Sequence, residues 1–125
     1  MSATVQPFLM FEGRCEEAMR FYISLLPHSQ LLDLTSSPDG KVMKATFTIA
    51  GQTVMCSDSP VKHGFTFTPA SSLFVQCESE DQLRTLAAKL GEGGTSLMPL
   101  GHYGFSTLFA WVNDRFGVSW QLNLV

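Results

Sequence analysis

The chain has 125 residues, a net charge of −3, and 45% hydrophobic against 15% charged residues. This is too apolar for disorder, and with no cluster of Lys or Arg it lacks the basic footprint of a nucleic-acid binder. No apolar run approaches membrane-spanning length, and Met1 to Gln6 lacks the basic start and apolar core of a secretory signal, so a cytoplasmic protein without nucleic-acid or membrane partners is expected.

Val5 to Phe11 reads as a strand, with Pro7 placing its start at an edge. From Arg14 to Leu26 the apolar residues Cys15, Ala18, Met19, Tyr22, Leu25 and Leu26 recur at helical spacing. Glu16 and Glu17 suit the positive end of that helix, and Pro27 stops it. Gln30 to Thr35 is a second strand, followed by a Ser-Ser-Pro-Asp-Gly turn. Val42 to Ile49 and Gln52 to Ser57 form a hairpin about Ala50-Gly51. Residues 58–70 are a connection.

Ser71 to Cys77 is the next strand. Ser79 with Gln82 three residues on is a capping signature, and Leu83, Leu86, Ala87 and Leu90 continue it as a helix ending at Gly91. A short strand, Thr95 to Met98, leads into a Pro99–Gly104 loop carrying His102 and Tyr103. Ser106 to Asn113 and Ser119 to Leu124 form a last hairpin about Asp114 to Gly117. In the closing strand Trp120, Leu122 and Leu124 alternate with Gln121 and Asn123, giving one apolar and one amide face.

The order strand, helix, three strands occurs twice. An offset of 66 lays Phe8 on Phe74, Gly51 on Gly117 and Met55 on Gln121. We expect an α+β single domain over 1–125, made of a βαβββ module at 5–57, the connection 58–70 and a second module at 71–125. Each module uses one sheet face for its helix, so the other must curve around a second module, a partner or a ligand.

Pro7 to Tyr22, PFLMFEGRCEEAMRFY, resembles the opening of the PhnB-like (demethylubiquinone-methyltransferase-like) family. Ser57-Asp58-Ser59 is similar to its S-D-A/S element, and Asp114 to Trp120 to its D-x-F-G-x-x-W close. That family belongs to the vicinal-oxygen-chelate superfamily, with glyoxalase I, bleomycin-resistance proteins and extradiol dioxygenases. The resemblance implies curved mixed sheets around a cleft, the glyoxalase/bleomycin-resistance fold, in a homodimer. It carries a methyltransferase label, but the glycine-rich loop after a strand that S-adenosylmethionine sites use has no counterpart, since Gly91 to Gly94 follows a helix.

Metal-dependent relatives take ligands from the first, fourth, fifth and eighth strands. The resemblance places those positions on Pro7, Met55, Ser72 and Gln121. Hard divalent ions want carboxylate or imidazole, so neither a metal nor another cofactor is expected. The cleft would be lined by Ser72, Gln76, Thr53, Ser57, Gln121 and Asn123, with Met55, Leu9 and Phe74 between them. Trp111 is in phase to line it or to pack as core, and His102 and His63 flank its mouth as general bases or as solvated loop residues. The ligand-binding set is therefore Gln121, Ser72, Met55, Asn123, Trp111 and His102, with dimer packing or ordered water as the alternative use of the same surface.

Cys15, Cys56 and Cys77 form neither a zinc pattern nor a disulfide framework. Cys15 opens a helix, where a thiol can be acidified, but it also occupies the apolar stripe. Three functions remain open: metal-free binding of a small molecule, an isomerase, lyase or transferase using Asp58, His63 or His102, and a protein-interaction module. No catalytic residue is identified.

Overall fold

The computed structural model describes residues 2–125 and divides into two compact units, one ending at Gly64 and the other spanning Phe65–Val125. Each is an α+β unit of one helix on one four-stranded mixed sheet. The first contains β1 (Phe8–Phe11), α1 (Cys15–Ile23), β2 (Gln30–Ser36), β3 (Val42–Ile49) and β4 (Gln52–Asp58). The second contains β5 (Leu73–Gln76), α2 (Glu80–Gly91), β6 (Thr95–Tyr103), β7 (Ser106–Asn113) and β8 (Ser119–Leu124).

The sheet orders are β1-β4-β3-β2 and β5-β8-β7-β6, and the first strand is parallel to the fourth in each. The pair Phe8↔Met55 recurs as Phe74↔Gln121, so the duplication read from the sequence is present in the strand register.

Local chemistry explains the element ends. β1 starts at Phe8 because Pro7 has no N–H for the ladder, although its carbonyl accepts from Met55 N at 2.9 Å. The β3–β4 turn is two residues long, with Ala50 at φ 48 and Gly51 at φ 83, the doubly positive geometry that matches strand twist. The β7–β8 turn is longer, five residues between Asn113 and Ser119, and places Gly117 at φ 91.

Two buried carboxylates hold these units. Asp58 Oδ1 accepts from Gly13 N at 2.8 Å and Cys15 N at 3.0 Å, and its Oδ2 accepts from Val42 N at 3.0 Å. It thereby caps α1, whose own N-cap residue Arg14 makes no side-chain cap bond. Asp114 Oδ1 accepts from Phe116 N at 2.8 Å and Val118 N at 3.0 Å, and its Oδ2 from Trp120 Nε1 at 2.9 Å.

The stretch expected as a loop at Pro99–Gly104 is instead strand as far as Tyr103, the second half of β6, and only Gly104 belongs to the turn. Pro99 is tolerated because β6 is an edge strand whose register slips between Met98 and Gly101. Cores lie between each helix and its sheet: Cys15, Ala18, Met19 and Tyr22 over Ala45, Phe47, Val54 and Cys56, and Leu83, Leu86 and Leu90 over Leu108, Ala110, Val112, Trp120 and Leu122.

Candidate functional site

Period-two alternation leaves each sheet a face turned away from its helix. In the second unit, one row across that face runs Phe74, Gln121, Trp111 in register. Gln121 Nε2 donates to Ser72 Oγ at 2.8 Å, and Asn123 Nδ2 donates to Gln76 Oε1 at 2.9 Å. Trp111 Nε1 donates to Ser119 Oγ at 2.8 Å, which fixes the indole along β7 and β8. Four predicted residues, Gln121, Ser72, Asn123 and Trp111, therefore share one surface.

The residues pair as they do because side chains directly across neighbouring strands point the same way. The surface is uncharged, and its amides present both donors and acceptors. Asn113, two residues beyond Trp111, was not anticipated. Its Oδ1 is buried and has no hydrogen-bond partner among the described residues. Such an acceptor calls for a donor; in sequence it was indistinguishable from a turn-flanking Asn.

In the first unit the matching row is Phe8, Met55, Thr46, Asp33. Met55 thus occupies the position that Gln121 has in the second unit. Leu9 does not belong to this face. It pairs with Cys56, which is fully buried and lies 3.8 Å from Met19 of α1 through sulfur. Phe8 takes its place, and Pro7, in phase with Leu9, is corrected in the same way. The 66-residue repeat makes Gln6 the counterpart of Ser72. Phe8 and Phe74 are 53% and 52% exposed, so both units present an uncovered aromatic at the same position.

His102 is on the exposed edge strand β6, with Nδ1 hydrogen-bonded to the Thr107 carbonyl, and makes no hydrogen bond to the amide cluster. His63 is half-buried and engages Ser59 Oγ through Nε2 at 2.8 Å. Asp58, considered as an acid or base, has both oxygens committed to backbone amides. The hydrogen bond with Cys56, then burial, pushes the Cys15 thiol up, so its place in the core prevails over the helix terminus. Burial also raises the Cys77 thiol.

An amide, a thioether, a hydroxyl and a second amide (Gln6, Met55, Ser72, Gln121) are poor donors for a hard divalent cation. Among the described residues no three His, Cys, Asp or Glu side chains gather as a metal site. Among the described residues no helix is long and apolar enough to cross a membrane.

Residues 3–123 match the family model described as 3-demethylubiquinone-9 3-methyltransferase. A Bacillus cereus structure described as a PhnB protein is 50% identical, with 98% of this chain and 100% of that chain covered and a TM-score of 0.96. A Pseudomonas aeruginosa protein is 29% identical over 98% of both chains, with a TM-score of 0.86. A glyoxylase/bleomycin resistance protein/dioxygenase domain from a Frankia species shares the fold at 16% identity, covering 99% and 92% of the two chains, with a TM-score of 0.71. No curated protein matches the chain.

Proposed function

We propose a function from the premise that the chain belongs to the PhnB-like, 3-demethylubiquinone-9 3-methyltransferase family of the vicinal-oxygen-chelate superfamily: it binds a neutral small molecule without a metal. The observation that carries this reading is the uncharged row Phe74, Gln121, Trp111 around the Gln121–Ser72 and Asn123–Gln76 bonds. A flat indole beside amides suits a ligand that stacks and exchanges hydrogen bonds. The donor set at the family's metal positions supports metal independence. The mixed sheet orders also differ from the doubly wound parallel sheet in which S-adenosylmethionine sites of the glycine-rich-loop type are built.

The exposed Phe8 and Phe74 support coverage of the open faces by a ligand and a second copy. We take the protein to be a homodimer, and its three free cysteines fit a reducing, cytoplasmic setting. A thermal-shift screen against neutral aromatic and amide-bearing metabolites, with and without Mn²⁺, Zn²⁺ and Ni²⁺, tests the reading. Stabilisation by metabolites alone, reduced at least tenfold in affinity by Gln121→Ala, is the expected result. Stabilisation that requires a metal overturns it.

The second reading is a glyoxalase-like enzyme. The Ser59–His63 contact favours it, because a fixed imidazole can move a proton. Turnover unchanged in His63→Ala removes that support.

A further inference from the structure

The duplication supplies an internal control for packing. The buried positions of α1, Cys15, Ala18, Met19 and Tyr22, have the same spacing as Leu83, Leu86, Ala87 and Leu90 of α2. Met19 therefore corresponds to Ala87, and Ile23 to Gly91. Beneath the helices, the pair Phe47↔Val54 corresponds to Val112↔Trp120. Bulk has moved onto β8, and the β7 side has been cut from Phe to Val.

Three larger side chains of the first unit thus become Ala87, Gly91 and Val112 in the second. The space they vacate is present: a cavity of about 180 Å³ opens between α2 and the strands β6 and β7, lined by these three with Ser96, Met98 and Ala110 among others. A Cβ added at Gly91 meets nothing within 4 Å. The lining carries no charged residue, and Ser96 is its one polar side chain. It is on the helix-bearing side of the sheet, the side opposite Gln121 and Trp111.

We propose that this cavity is a second binding site, for a compact, neutral, apolar molecule of about benzene size. Its volume is close to the roughly 150 Å³ of an apolar cavity that takes up benzene, but the exposed Gly91, Ser96 and Leu100 leave one side open to solvent, so a ligand there is buried in part and loses apolar surface from water without stranding a polar group. A charged ligand would lose its hydration with no countercharge to receive it. The site is independent of the proposal for the open face.

Benzene titrated into methyl-labelled full-length protein tests it, with benzoate as the charged control. The methyl resonances of Ala87, Ala110, Val112 and Met98 should shift saturably with benzene and stay still with benzoate, while the Trp111 indole N–H stays in place. Ala87→Met, the residue of the first unit, should weaken benzene binding at least tenfold and raise the unfolding midpoint. Gly91→Ile is the second variant should Ala87→Met fold poorly, and the same loss of binding is expected. Absence of saturable shifts in the wild type, or undiminished binding in a folded filled variant, overturns the proposal. Shifts that depend on protein concentration and not on benzene also overturn it, since a second copy would then fill the cavity.

Discussion

Asp58 and Asp114 give the family-like motifs a physical meaning. Each is buried, 8% and 3% exposed, and each accepts at least three hydrogen bonds. Hydrogen bonds to a charged acceptor are worth about 1.5–3 kcal/mol apiece, and Asn can supply only one acceptor oxygen. Asp58→Asn should therefore destabilise the protein by about 3 kcal/mol, read as a shift in the urea midpoint. Asp114→Asn should cost a similar amount and alter the near-ultraviolet signal of Trp120. Cys15 makes a pH prediction. Its thiol titrates above the ordinary value near 9 in the folded chain. The unfolded chain therefore loses its proton first, and the associated stability is complete below pH 9 and declines above it. The slope should reach about 1.4 kcal/mol per pH unit for this group. Urea titrations from pH 8 to 10.5 check it, and Cys15→Ala should flatten the decline.

At the scale of elements, two helices of similar length start by different means. α2 begins on Ser79, whose hydroxyl accepts from Gln82 N at 3.1 Å, so Ser79→Ala should cost about 1 kcal/mol. α1 begins on Arg14, which makes no side-chain cap bond but pairs with Glu17 at 3.2 Å on the surface, so Arg14→Ala should cost less, about 0.5 kcal/mol; circular dichroism during denaturation compares the two. Sequence showed the first device because its residues are three apart. It hid the second because Asp58 is 43 residues from Cys15. The β3–β4 turn holds Ala50 at φ 48, where a Cβ crowds its own carbonyl. Ala50→Gly should stabilise the hairpin by about 0.5–1 kcal/mol, read from the thermal midpoint. β6 shows the reverse limit. Pro99 and Gly101 suggest a loop by local chemistry, yet the neighbouring β7 supplies a ladder that an edge strand can join with slips in register.

Across the molecule, two units of one topology have diverged on both sides of their sheets. The open face carries Met55 in one and Gln121 in the other; the helix side carries Phe47 and Met19 in one and Val112 and Ala87 in the other. A fold of this kind holds its function in such positions and not in its topology. If the exposed apolar residues are covered by a second copy, light scattering should give twice the chain mass of 13.8 kDa at micromolar concentration.

Period, turn chemistry and internal repetition were enough to write down the element order, the duplication and the amide face of β8, because each depends on residues near one another in the chain. Register and contact across the sheet were decided only by the fold. Leu9 and Phe8 exchanged faces because β1 takes its phase from β4, a strand more than 40 residues later. The carboxylates of Asp58 and Asp114, the orphaned oxygen of Asn113 and the space beside Ala87 are likewise properties of what surrounds a residue, and local spacing carries no record of those surroundings.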